Sequence, residues 1–208
     1  MSPPLIANPP ARARVVEVGP RDGLQNQAQR IPVETKRAWI ERLSAAGIRE
    51  IEVTSFVHPR WVPQLSDARE LVRALGEAGS TLYSALVPNL RGLEDALAGG
   101  IHRIALFTAA SETFNRRNIN CGIEESLDRF RRIFDRLGRE AGAGVHVRAY
   151  ISTSFGCPYE GTVPPERVAE IAAELREMGA REIAVSDTTG VATPPQVEDV
   201  ITTVAEAV

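Results

Sequence analysis

The sequence predicts an α/β fold of the (β/α)8 TIM-barrel type, with about six β/α units and therefore an incomplete barrel. Three observations carry this. Strand and helix signals alternate strictly along the chain, which implies a parallel sheet with right-handed crossovers. A helix end, a glycine and a short β-branched strand recur as "AAGIREIEV" (45–53), "AGGIHRIAL" (98–106) and "EMGAREIAV" (177–185). Long polar loops follow the strands, whereas the connections leading into them are short, as in a barrel that works at its strand C-termini.

Residues 1–13 read as a disordered Pro-rich tail, and residues 14–208 as one domain. "RVVEVG" (14–19) is the first strand, and the three recurrent modules supply the second, fourth and sixth. "EAGSTLYSALV" (77–87) and "GAGVHVRAYIS" (142–152) fit the third and fifth more loosely. Between them, Leu127, Phe130, Phe134 and Leu137 fall at helical spacing, as do Val168, Ile171, Leu175 and Met178, and Val197, Val200, Ile201 and Val204. Asn89 and Thr193 stand where helix N-caps belong, with Pro194 in a first turn. "TAASETFNRRNINCG" (108–122) and "STSFGCPYEGTVPP" (152–165) read as loops. A doubly wound sheet is the rival; its Gly-rich phosphate turn is not matched by "GPRDG" (19–23).

A formal charge of −3 offers no electrostatic case for nucleic acid or an anionic membrane as partner. No apolar run approaches a membrane span, and the tail has too many prolines for a signal peptide. Cys121 and Cys157 cannot build a disulfide framework, so a reduced, cytoplasmic setting is expected. Lys36 is the only lysine in an Arg-rich chain.

Polar residues just past barrel strands point into a common mouth. The first strand delivers Arg21, Asp22 and Gln25, the second Glu52, Thr54 and Ser55, the third Asn89, the fourth Ser111 and Glu112, and the sixth Ser186, Asp187 and Thr188. Asp22, Glu52 and Asp187, three carboxylates from three strands with Arg21 among them, could hold a divalent metal and move protons. Each alone could equally be a helix cap or a satisfied turn residue.

"VEVGPRDGLQNQ" (16–27), "IEVTSFVHPRWVPQ" (51–64), "NINCGIEES" (118–126), "GCPYEGTVPP" (156–165) and "SDTTGVATP" (186–194) closely resemble motifs of the 3-hydroxy-3-methylglutaryl-CoA (HMG-CoA) lyase family, within the DRE-TIM metallolyases. The resemblance runs in order from about residue 15 to the end, and Glu17-Val18-Gly19-Pro20 favours the lyases over the condensing enzymes. It implies retro-Claisen cleavage of HMG-CoA to acetyl-CoA and acetoacetate, assisted by Mg2+ or Mn2+, in leucine catabolism and ketone-body formation. It further implies Asp22 as metal ligand and Arg21 beside the thioester carbonyl as the enolate forms. Glu52 and Asp187 match carboxylates of proton transfer and site order, and Gln25, Ser55, Asn118 and Thr188 are candidate substrate contacts. An acyl-CoA is the implied small-molecule partner, with a homo-oligomer, a dimer, expected of the complete protein.

His58, His102 and His146 are scattered and make no H-x-H pair, and Cys121 and Cys157 do not match the family's catalytic cysteine. Arg116 and Arg117 suit CoA phosphates or are simply a solvated pair. The family's metal-binding histidines, asparagine ligand and cysteine loop belong to later β/α units than these six. The metal site is therefore expected to be incomplete, and the isolated chain poorly stable, self-associating and inactive or nearly so. A related condensing enzyme or aldolase, or a non-catalytic partial barrel that binds a partner, are the alternatives.

Overall fold

A computed structural model describes residues 12–76, 79–139 and 144–208. The expected tail therefore lies, for residues 1–11, outside the described residues. Six strands are present among the described residues: β1 (Val16–Glu17), β2 (Glu50–Ser55), β3 (Leu82–Leu86), β4 (Arg103–Ala109), β5 (His146–Ser152) and β6 (Glu182–Val185). They pair in parallel in sequence order, and the strand order never doubles back on itself, which removes the doubly wound alternative. The sheet curls into a partial TIM barrel. The glycines of the three recurrent joints, Gly47, Gly100 and Gly179, have φ of 94°, 83° and 114°, a region that disfavours any side chain.

Among the described residues seven α-helices flank the strands: α1 (Val33–Ala45), α2 (Ala68–Leu75), α3 (Leu90–Ala98), α4 (Glu112–Ile119), α5 (Ile123–Arg139), α6 (Pro165–Met178) and α7 (Pro194–Ala207). Asn89 caps α3 by accepting from Gly92 N at 3.0 Å, and Gln196 reaches back to Thr193 N at 2.9 Å at the start of α7. One expectation needs correction: α4 occupies much of the stretch 108–122 read as loop. Its polar sequence carries no apolar stripe, so periodicity misses it. Its ends hold it instead. Ser111 Oγ accepts from Phe114 N at 3.1 Å, Glu160 accepts from Thr113 N at 2.6 Å, and Asn120 closes the helix in the left-handed conformation.

Alternation along the strands separates two environments. Ile51, Val53, Ile104, Leu106, Val147, Ala149 and Ile151 are buried against helix residues that include Leu71, Leu93, Ile133, Ile171 and Leu175. The opposite faces of β2, β5 and β6 carry Glu50 and Glu52, Arg148 and Tyr150, and Glu182. Glu50 Oε1 accepts from Arg148 Nη2 at 3.0 Å although β3 and β4 stand between their strands. On a flat sheet three strand spacings would separate them by about 14 Å. This contact therefore exists only because the sheet curls. Arg103 at 3.1 Å also reaches Glu50, and Arg148 reaches Glu182 at 2.9 Å. Arg14, just before β1, bonds Glu182 of β6 at 2.7 Å and so links the two ends of the sheet. The outer edges of β1 and β6 have no ladder partner among the described residues, and the expected self-association rests on those edges.

Lys36 ties two mouth loops together from behind. Buried in α1, it donates to Asp67 at 2.8 and 2.9 Å and to Gln64 O at 2.5 Å, and Gln64 in turn donates to Gln27 O at 2.7 Å. Lys36→Met leaves the Asp67 carboxylate buried without its cation and is expected to destabilise the fold by about 3–5 kcal/mol. In denaturant titrations K36M/D67N should lose less than the sum of the single changes; additive losses would show that the two groups are not coupled.

The floor of the barrel sets an acid limit. Burial alone would raise Glu182, but hydrogen bonds and charge from Arg148, then Arg14, outweigh it and hold its carboxyl below the ordinary value of 4.5. A depressed carboxylate contributes stability that is complete above the unfolded value and is lost as pH falls through the folded one. The melting temperature is therefore expected to fall below about pH 4.5. Glu182→Gln should make that fall shallower; an unchanged slope would remove Glu182 from the account.

Candidate active site

The site begins where β1 ends. Gly19–Gly23 forms a single π-type turn, with Asp22 N donating to Val18 O at 2.7 Å. The start of the turn is tight: a Cβ at Gly19 would lie 2.8 Å from Glu17 Oε1 and 3.2 Å from the Trp39 ring, so a larger residue there would have to push those side chains aside. The turn swings the Arg21 side chain into the barrel and leaves Asp22 half exposed. Arg21 Nε donates a short bond to Glu52 Oε1, and Nη1 donates to Asp22 Oδ1 at 2.8 Å. Gln25 Nε2 donates to the same Asp22 oxygen at 2.7 Å.

Glu52 is fully buried, and its second oxygen accepts from the Tyr150 hydroxyl at 3.0 Å. The Arg21 guanidinium also lies 5.7 Å from the centre of the Tyr150 ring. Burial alone would lower the Arg21 pKa, but the Glu52 and Asp22 carboxylates carry it above that of an ordinary arginine. Burial, then the Glu52 charge, push the Tyr150 hydroxyl up to about 12, so it remains a protonated donor at neutral pH.

Above this pair a cavity of about 1010 Å3 opens among the strand C-termini. Arg21, Asp22, Gln25, Ser55, Asn118, Asp187 and Thr188 line it, and Glu52 sits beneath. A register shift between Glu52 and Thr54 accompanies the placement of Ser55 in the lining. Asp187 anchors its own loop, its two oxygens accepting from Val191 N at 3.1 Å and Ala192 N at 3.0 Å. The Thr188 hydroxyl accepts from Thr153 N at 2.8 Å. Thr153 has φ 55°, a conformation unfavourable for a β-branched residue, and its hydroxyl bonds Ser152 O at 2.6 Å.

The three mouth carboxylates do not gather into one ligand set. Glu52 is engaged at both oxygens by Arg21 and Tyr150, Asp187 at both by backbone amides, and Asp22 at Oδ1 by Arg21 and Gln25, which leaves Asp22 Oδ2. Among the described residues no group of three or more His, Cys, Asp or Glu side chains is spaced to hold a metal ion. Asp22 alone does not make a divalent-metal site.

His58 lies at the cavity with Nδ1 accepting from Arg60 N at 3.2 Å, whereas His146 sits on the barrel floor 3.6 Å from Glu182. Both cysteines are buried; burial holds the Cys121 thiol above its ordinary value, and Cys157 lies 2.9 Å from Ser111 Oγ. Arg116 and Arg117 both line the cavity, and Arg117 lies 4.2 Å from the centre of the Tyr159 ring. Strand-end reasoning missed Tyr150, which stands inside β5. Its signal was present in "HVRAYIS", where Arg148 and Tyr150 alternate with Val147, Ala149 and Ile151.

The chain is similar to known proteins along almost its whole length. The HMGL-like family matches residues 12–208. The mitochondrial hydroxymethylglutaryl-CoA lyase of Rattus norvegicus is 45% identical over 199 residues, 96% of this chain and 60% of that protein. The crystal structure of hydroxymethylglutaryl-CoA lyase from Pseudomonas aeruginosa superposes with a TM-score of 0.90 at 46% identity, over 96% of this chain and 65% of that one. An HMG-CoA lyase from Acinetobacter baumannii, solved with coenzyme A and 3-methylmalate, gives a TM-score of 0.87 at 31% identity, over 94% and 63%. The chain thus spans about three fifths of the length of these relatives. The continuous match from residue 12 to residue 208, on a barrel of the same kind, means that this chain belongs to the HMGL-like family.

Proposed function

We propose that this chain carries the enolate-stabilising half of a carbon–carbon lyase that cleaves HMG-CoA to acetyl-CoA and acetoacetate. The observation that carries this reading is Arg21, a buried cation fixed between Glu52 and Asp22 at the floor of a cavity of about 1010 Å3. Nε and Nη1 are engaged; Nη2 makes no hydrogen bond to a described residue and is the donor left for a substrate oxygen.

In the retro-Claisen step the tertiary hydroxyl loses its proton and its oxygen becomes the ketone of acetoacetate. The carbon–carbon bond breaks, and its electron pair passes into the thioester as an enolate. That carbon then takes up a proton to give acetyl-CoA. A fixed guanidinium beside the thioester oxygen stabilises the charge as it develops and needs no reorganisation at that moment. Glu52, engaged by two donors and closed to solvent, suits an ordering role toward Arg21. Asp187, exposed and lining the cavity, suits the proton transfer. Asp22 is the one carboxylate here suited to a divalent cation, and the metal is expected to need ligands beyond the described residues. Gln25, Ser55, Asn118 and Thr188 border the same space as candidate substrate contacts. The free cysteines and mild acidity support a reducing, cytoplasmic setting; no helix of the described residues is long and apolar enough to cross a membrane.

A chimera tests the assignment. Residues 12–208 would replace the matched segment of the Pseudomonas aeruginosa lyase, with which they superpose at a TM-score of 0.90. The chimera is expected to release acetyl-CoA and acetoacetate from HMG-CoA. A folded chimera that binds HMG-CoA without cleaving it would sink the reading. Within an active chimera Arg21→Gln should lower kcat by about 10²–10³, the usual effect of removing one oxyanion donor. A loss confined to KM would place Arg21 in binding alone. Acyl-CoA esters offered with 2-oxo acids separate a condensing enzyme from a lyase.

A further inference from the structure

We propose that Tyr159 and Glu160, on the loop that follows β5, are positioning residues for α4 and hold the cavity wall that carries Arg117 and Asn118. The inference rests on the reading of the cavity as an acyl-CoA site and adds what fixes one of its walls. Arg116 to Asn120, the last turn of α4 and its cap, line that cavity, whereas Tyr159 and Glu160 stand outside it. Both are exposed at the tip of a short hairpin, so neither contributes much to the core.

The hairpin is itself anchored. Cys157 and Gly161 exchange backbone hydrogen bonds at 2.8 and 2.9 Å, and Phe155, Cys157 and Val163 root the loop in the core. From there it grips α4 at two places. Glu160 Oε1 accepts from Thr113 N at 2.6 Å in the first turn, where an anion also favours the helix dipole. Further along, the Arg117 guanidinium lies over the Tyr159 ring, 4.2 Å from its centre, and the Phe114 ring stands 6.3 Å from it, centre to centre. Phe114 and Arg117 are three residues apart and so share one face of α4. Bonds within the segment itself, from Asn115 Nδ2 to Cys121 O at 3.2 Å and from Ile123 N to Glu112 Oε2 at 2.9 Å, set the shape of residues 111–123. The two grips from the hairpin tie that shape to the neighbouring β/α loop.

An aromatic partner suits this task better than a carboxylate would. Arg116 shows the contrast: its Nη2 donates to Glu112 Oε1 at 2.8 Å, so the pairing takes up one of its donors. Arg117 makes no hydrogen bond to a described residue. A ring face attracts a guanidinium through its quadrupole and leaves the N–H edge free. Tyr159 therefore fixes the plane of Arg117 without occupying the donors that a ligand in the cavity would meet. Ordering the side chain in advance removes that cost from binding. Asn118 is the next residue, and its direction follows the rotation of the same turn.

NMR of the 208-residue chain tests the positioning without turnover, so it stands or falls separately from the lyase assignment. The Nε–H resonance of Arg117 and the side-chain amide of Asn118 are identified by their loss in Arg117→Lys and Asn118→Asp. Glu160→Ala removes a contact at the opposite end of α4. It is expected to shift both resonances and to speed exchange of the Thr113 amide at least about tenfold. Glu160→Gln keeps an acceptor for Thr113 N and should restore the original positions. Arg117 and Asn118 unmoved in E160A, with Thr113 alone affected, would overturn the proposal. In the Pseudomonas aeruginosa chimera, Tyr159→Leu should raise KM for HMG-CoA about threefold to tenfold at unchanged kcat, and Tyr159→Phe, which keeps the ring, should not. In an Arg117→Ala background Y159L should add nothing, because the side chain it orders is gone. A KM unchanged in Y159L, or one that rises equally with and without Arg117, would refute the route through Arg117.

Discussion

The contact between Glu50 and Arg148 is the constraint on which the remaining geometry depends. Two opposite charges, on strands separated by two others, are buried and in hydrogen-bonding contact. Neither could be buried alone without a penalty of several kcal/mol. The sheet must therefore curl far enough to pair them, and once curled it presents Glu52, Tyr150 and Ser152 to the same interior. A buried ion pair contributes little net stability compared with a well-packed apolar pair. Its value here is specificity, because it selects one curvature among the many that six parallel strands could take.

The same alternation explains why the site is polar in a fold held by apolar packing. Moving one residue along β5 exchanges the environment of Ile151 for that of Tyr150. The outward faces meet the helices and form the core, while the inward faces carry charge in tiers. Arg103, Arg148 and the two glutamates form the lowest tier, Tyr150 and Glu52 the next, and Arg21 with Asp22 the mouth. Arg21 enters from a turn, not from a strand, so it crosses the tiers and reaches down to Glu52. A lysine there could not do the same, since only the guanidinium fork bonds a buried carboxylate with one nitrogen and a mouth carboxylate with another.

Much of this was legible in the sequence, and the exceptions follow a physical rule. The joints at Gly47, Gly100 and Gly179 were readable because left-handed backbone requires a local residue choice. Arg21, Asp22 and Asp187 were readable because they follow strand ends. Helix α4 was not, because it is fixed by Ser111 and by Glu160, 47 residues from its partner Thr113, and not by an apolar stripe. Tyr150 and Arg148 were not, because their meaning lies in partners 98 residues away, Glu52 and Glu50. Local signals survive reading in one dimension; closure of a barrel does not. Which of the mouth carboxylates keeps an oxygen for a cation was not legible for the same reason, since strand-end position says nothing of which donors already claim an oxygen.

Burial finally divides the labour between the two carboxylates that the sequence left as equals. Glu52 is closed to solvent and holds two donors, so a proton arriving there would have to displace Arg21 or turn the Tyr150 hydroxyl around. In the proposed reaction, each of those moves would dismantle the cation's support at the moment when charge develops beside it. Asp187 is exposed and bound by amides that do not depend on Arg21, which is why the proposed reaction gives the proton transfer to Asp187 and leaves the cation in place. Separation of the two tasks follows from where each strand stops. β2 carries Glu52 inside the sheet, and β6 ends at Val185, which places Asp187 beyond the last ladder bond and within reach of solvent.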